Sequence, residues 1–271
     1  MSVEPGGVVK LAESAIELTG VTKIFGGANP VKALDDVALT VAQGQFVAIV
    51  GPSGCGKSTI LNLVAGFEEP TAGSVLVNGA PVAGPGPDRA VVFQEAALFP
   101  WLSVWENTVF SPKARSRPEG EYKEKARQFL ARVGLSEFHD HLPAQLSGGM
   151  KQRVGLARTL VMEPQLFLMD EPFGALDAQT RIDMQELLLS VWDELRRTVV
   201  FITHDVDEAI LLADVVFVMS ARPGRIRSRV PIDLPRPRSI DLITDPTFVA
   251  LKREIFNQIR HEASAARAGA H

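Results

Sequence analysis

The stretch GPSGCGKST, Gly51 to Thr59, restricts what this chain can become more than any other. It fits the pattern G-x-x-x-x-G-K-[ST] and stands between an apolar run, FVAIV (46–50), and a helical pattern opening at Lys57. A strand that breaks into a glycine turn and continues as a helix makes backbone N–H groups converge, with the positive end of the helix dipole behind them. That geometry holds phosphate. Gly51, Pro52, Ser53, Gly54, Cys55, Gly56, Lys57, Ser58 and Thr59 therefore form a candidate nucleotide cradle. Lys57 is placed to reach β- and γ-phosphates, and Ser58 to offer its hydroxyl to Mg²⁺. A glycine turn that binds nothing is the plain alternative, and the strand and helix on either side argue against it.

Further short apolar runs follow: VVF (91–93), LFLMD (166–170), VVFIT (199–203) and VVFVM (215–219). Continuous rather than alternating, they predict strands buried on both faces of a mostly parallel sheet. Helical patterns at 57–65, 150–162 and 179–195 lie between them, so the chain reads as α/β with helices on the sheet's faces. Pieces at 14–41 and 74–82, broken by Gly26-Gly27 and Asn78-Gly79, predict a small antiparallel sheet. From Glu95 to Gln145 the strand signal gives way to helices near 104–110 and 121–133, a helical insert of about 95–160 once the next helix is included. The proline- and arginine-rich 222–238 reads as a loop or edge strand, and a final helix is expected from about Thr247 to Ala263. The expected division is a main domain over 14–240 and a helical tail over 241–271.

With 271 residues, 46% of them hydrophobic, 22% charged, and a net charge of −4, the composition fits a folded domain with a substantial core. A nucleic-acid binder would usually be strongly basic, so no nucleic-acid partner is expected. The single cysteine, Cys55, sits inside the glycine loop; no intramolecular disulfide can form, and a reducing compartment, the cytoplasm, fits best. MSVEPGGVVKLAES lacks the features of a signal peptide, and no apolar run reaches bilayer-spanning length.

LFLMDE ends in two adjacent acids. At the end of a buried strand beside the cradle, Asp170 can hold a metal through its water shell, and Glu171 can accept a proton from an attacking water. A second turn, LSGGMKQR (146–153), again sets a serine and two glycines before a helix, without a phosphate-clamping lysine or an acid pair of its own. It is half of a site. Either Ser147 is simply a helix cap, or the turn touches the far side of a nucleotide held elsewhere. His139 and His141, in FHDH, lack further ligands at metal spacing and read as a solvated helix end.

GPSGCGKST, Gln94, LSGGM, LFLMDEP, GALD and His204, in that order, resemble the ATP-binding subunit of ABC transporters from about Ile16 to Met219. The resemblance implies a P-loop ATPase of ABC type, using ATP and Mg²⁺. It implies a head-to-tail homodimer, in which Ser147, Gly148 and Gly149 complete the γ-phosphate site of the partner chain. By the same resemblance Gln94 contacts Mg²⁺ and senses the γ-phosphate, and His204 holds the γ-phosphate and the attacking water. Asp177 in GALD lies at the dimer interface, and Phe25 stacks on adenine, where the family often has Tyr. Met150 replaces a frequent glutamine, leaving the phosphate donors untouched.

EAALFPWLSVWENTVF (95–110) carries two of the three tryptophans, partly as core of the insert. In the resembled family this region forms a groove for a coupling helix of the membrane permease. Together with DEPFGALD, ARPGRI and DLPRPR, it is similar to the branch importing nitrate, taurine, alkanesulfonates and bicarbonate. The implied protein is a peripheral ATPase on the cytoplasmic face of the inner membrane, beneath two permease subunits fed by a solute-binding protein. The arginine-rich tail reads equally well as a solvated basic loop. A soluble mechanical ATPase of ABC type is the main alternative, although the chain has no second cassette, coiled-coil insert or basic arm. A small-molecule kinase would have no use for LSGGM or GALD.

Overall fold

The computed structural model describes residues 14–268. In chain order the elements are β1 (Ser14–Phe25), β2 (Val31–Ala42), β3 (Phe46–Val50), α1 (Lys57–Ala65), β4 (Ala72–Val77), β5 (Ala80–Pro81) and β6 (Arg89–Val92). The insert follows with α2 (Val104–Ala114), α3 (Glu119–Arg132) and α4 (Gly148–Leu160). Then come β7 (Leu166–Asp170), α5 (Ala178–Leu195), β8 (Thr198–Ile202), α6 (Val206–Leu212), β9 (Val215–Met219), β10 (Ile226–Pro231) and α7 (Pro246–Ala268).

Two sheets result. A six-stranded sheet has the order β10-β9-β3-β8-β7-β6, parallel except for β10, and a four-stranded antiparallel sheet has the order β2-β1-β4-β5. This is the α/β class, with parallel core, antiparallel sheet and helical insert, that the sequence predicts. Why the core strands are apolar at every position is visible in how they divide. Phe46, Ala48 and Val50 of β3 belong to one core with α4, α5, α6 and α7, whereas Val47 and Ile49 belong to a second with α1 and the antiparallel sheet. β7 and β8 split the same way, Phe167 and Phe201 to the first core, Leu168 and Val200 to the second. With successive side chains on opposite faces, both faces covered means no polar position is tolerated.

The insert is held by local chemistry. Ser103 accepts from Glu106 N while the Glu106 carboxylate accepts from Ser103 N, a capping box that starts α2. Buried Asn107 then exchanges hydrogen bonds with Phe99 and donates to Leu102 O, tying the preceding loop to the helix.

Two readings need amending, and one helix was missed. The proline-arginine segment contains the expected edge strand, β10 on β9, but it is not wholly a solvated basic loop: Arg222, Arg225, Arg227 and Arg229 are exposed, whereas Arg236 and Arg238 turn inward. Arg238 is buried and donates to the carbonyls of Ile210, Leu211, Ala213, Ile232 and Leu234, closing the C-terminal end of α6. Arg236 pairs with Asp214 and lies 4.0 Å from the Trp192 ring centre. His139 and His141 are half-buried rather than solvated; the His139 ring packs on Trp105 and the His141 ring on Phe138. Helix α6 went unread, although Asp205 before DEAILL is an N-cap signal, realised by bonds from Asp207 N and Glu208 N.

Candidate active site

In an open parallel sheet the carboxyl ends of the strands converge on one edge, where ligands bind. β3, β6, β7 and β8 deliver to that edge the glycine loop, Gln94, the acid pair and His204 respectively. The loop ends at Gly56, the residue before α1, with φ 99°; a Cβ there would stand 2.6 Å from Leu34 Cδ2 and 3.0 Å from Ala33 O. Glycine is required both by the left-handed backbone and by the approach of β2. Lys57 is buried, and its ammonium donates to Gly51 O (3.0 Å) and Pro52 O (3.2 Å), folded over the loop it would serve.

A cleft of about 280 Å³ opens above this loop. Phe25 and Val31 wall one end, and Lys57, Ser58 and Glu171 also face it. Phe25 is 38% exposed, with the Lys23 ammonium 5.0 Å from its ring centre. An apolar wall beside a bed of backbone amides suits a nucleotide, base at one end and phosphates at the other.

Burial pushes the Asp170 carboxyl above its ordinary value; the Ser58 hydroxyl opposes that shift and the Glu171 charge reinforces it. A desolvated carboxylate next to a hydroxyl gains from a cation, so Asp170 and Ser58 fit Mg²⁺. Glu171 has φ 45°, a strained conformation for a non-glycine residue, pinned by its N–H to Ile202 O at 2.9 Å. Its carboxylate Oε2 lies 3.0 Å from Nδ1 of His204, just beyond the end of β8. Gln94 is exposed, and its Nε2 lies 3.1 Å from a Cβ built on Gly174, itself 3.7 Å from Glu171 Oε2. Phe25, the cradle, Asp170, Glu171, His204 and Gln94 are thus brought to one edge.

LSGGM and GALD are joined to each other instead. Ser147 caps α4 by accepting from Met150 N, and Asp177 caps α5 by accepting from Thr180 N and Oγ1. These bonds from Thr180 hold the Asp177 carboxyl below the usual range. Gly149 faces Thr180, whose Cγ2 stands 2.3 Å from a built Cβ. Ser147 and Gly148 are exposed and do not line the cleft.

Two supports were missed from sequence. Buried Gln152 donates to Gln94 O (2.9 Å) and Pro172 O (2.6 Å), linking α4 to the loops after β6 and β7. Its signal was a polar residue on the buried stripe of α4, between Gly149 and Leu156. Behind His204, buried Glu208 accepts from Thr203 Oγ1 (2.6 Å) and Gln185 Nε2 (3.2 Å), and burial raises its pKa. Arg181 reaches from Glu208 (3.9 Å) to Leu176 O (3.1 Å), so the GALD turn and the histidine loop share one polar network. Neighbours this distant in sequence leave no local pattern.

A phosphate loop after a parallel strand, with an acid pair at the end of another and a histidine against the second acid, defines a P-loop nucleotide hydrolase. Residues 34–174 match the ABC transporter family, and the chain belongs to that family as an ATP-binding, ABC-type ATPase. The taurine import ATP-binding protein TauB of Chromobacterium violaceum is 50% identical over 89% of this chain and 95% of that protein. The nitrate import ATP-binding protein NrtD of Synechococcus elongatus is 48% identical over 83% of this chain and 84% of that one. Among solved structures, the dimeric post-hydrolysis state of the ATP-binding cassette MJ0796 bound to ADP and Pi superposes with a TM-score of 0.71. It is 32% identical and covers 81% of this chain and all of that one. No helix among the described residues is long and apolar enough to cross a membrane.

Proposed function

We propose that this chain powers an importer of a small anion, such as taurine, an alkanesulfonate or nitrate. It works as a homodimer on the cytoplasmic face of the inner membrane, beneath permease subunits that receive solute from a binding protein. The taurine and nitrate relatives, at nearly equal identity, support the class of solute. The solute itself would touch the binding protein and the permease.

In this reading Phe25 stacks on adenine, and the amides of Gly51–Thr59 with Lys57 hold the phosphates. Ser58, Asp170 and Gln94 hold Mg²⁺, which when bound would offset phosphate charge. Glu171 accepts the proton of the attacking water while His204 orients that water and the γ-phosphate. Ser147, Gly148 and Gly149 serve the partner's nucleotide, with Asp177 at the interface between chains. The observation that carries this proposal is the 3.0 Å contact of Glu171 and His204 on the cleft edge, with the exposed Ser147 and Gly148 outside the cleft. In this reading only the contribution of the LSGGM turn comes from a second chain.

Mixing Lys57→Ala with Ser147→Arg chains tests it. Each parent homodimer should be inactive, whereas every heterodimer keeps one intact composite site and should regain ATP turnover. Heterodimers proven to form yet no more active than their parents would sink the shared-site reading.

A further inference from the structure

The segment Ala221–Ile226, ARPGRI, follows the last parallel strand and has no role in the reading above. It is nevertheless fastened to the phosphate loop. Gly224 N donates to Ala33 O (2.9 Å) and Gly224 O accepts from Asp35 N (3.0 Å), fixing the segment against β2. A Cβ on Gly224 would stand 1.9 Å from Cys55 O, so only glycine lets the chain pass this close to the loop. Arg225 pairs with Asp35, and the Ser220 hydroxyl accepts from Arg225 N and bonds Pro223 O across the turn.

What this anchored turn delivers is Arg222. Its Nε donates to Gly54 O at 3.1 Å, and its side chain lines the same cleft as Phe25, Lys57 and Ser58. Nη2 lies 3.2 Å from a Cβ built on Gly54, over the middle of the loop. Among the described residues the terminal nitrogens have no hydrogen-bond partner, and the residue is exposed. A guanidinium offers five donors in a planar fork and accepts nothing, which suits phosphate oxygens. Here one donor is spent on orientation, and the others remain beside an opening already lined with phosphate donors.

We propose that Arg222 is a phosphate-contacting residue of the nucleotide cleft, supplied by the turn after β9 and aimed by its bond to the loop it assists. The proposal rests on reading that cleft as the ATP site. Its test is equilibrium binding of ATP, inorganic tripolyphosphate and adenosine to the parent, Arg222→Gln, Arg222→Lys and Lys57→Ala proteins. Each protein's ligand-free melting temperature is measured alongside.

Arg222→Gln should weaken ATP and tripolyphosphate about tenfold, the scale of one charge-assisted contact, and leave adenosine and the melting temperature unmoved. Arg222→Lys should recover part of the loss by keeping the charge. Parental affinities in Arg222→Gln, with Lys57→Ala still impaired, overturn the proposal and leave the cleft assignment standing. Unimpaired binding in both variants overturns the cleft assignment as well. Weaker adenosine binding together with a lower melting temperature would make Arg222 a structural brace and also overturn the proposal.

Discussion

Asp170 shows how a site residue can work against its own fold. Its raised pKa means that the folded state holds the proton more tightly than the unfolded one, where the ordinary value is 3.8. Stability from this group is therefore fully present below 3.8 and is lost as pH rises through the folded pKa. At neutral pH the ionised carboxylate weighs against the ligand-free protein. Asp170→Asn should melt higher than the parent at about pH 7, and the gap should narrow toward pH 4. The same change should cut magnesium-dependent turnover by on the order of a hundredfold. Thermal scans across that range decide the matter; a variant that melts lower at neutral pH contradicts the account. The opposite balance holds at Asp177, whose carboxylate is stabilised by hydrogen bonds from Thr180 that outweigh its desolvation.

At the scale of elements, α6 matters because it begins two residues after His204 and is closed at its far end by Arg238. Burial lowers the Arg238 pKa to about 10, a shift that leaves it charged at neutral pH. Arg238→Met should cost about 3 kcal/mol or more, since it strands several buried carbonyls at once. Denaturant unfolding would measure that loss, and an effect under about 1 kcal/mol would mean that water replaces the guanidinium. None of this was legible in DLPRPR. The carbonyls that Arg238 meets lie as far as 28 residues away, and an arginine facing backbone looks the same in sequence as one facing water. By contrast, the glycine loop, the acid pair and the apolar strands were legible because their chemistry is local: spacing alone sets the turn and continuous apolarity reports a two-sided core. Gln152 and Glu208 fall between these extremes, polar residues on buried faces whose partners only the tertiary fold supplies.

At the scale of the molecule, a groove of about 410 Å³ runs between the parallel sheet's edge and the insert, lined by Phe93, Phe99 and Phe110 among others. Phe93 and Phe110 are each 42% exposed, and Trp101, beside Phe99, is 72% exposed. Clustered exposed aromatics mark a binding surface. In the importer proposed above, Phe110→Asp should abolish co-purification with the permease while the isolated chain melts within about 2 °C of the parent. Retained co-purification would place the contact elsewhere. The groove begins next to Gln94, and Gln152 ties that same loop to α4, the helix that Ser147 caps. A last consequence comes from β3, whose side chains belong alternately to the two cores. The strand that carries the phosphate loop is a common keel, and neither half of the body can loosen while leaving it in place. Grip on the nucleotide and integrity of the whole should fail together, as a single event, with no half-melted form that still holds its ligand.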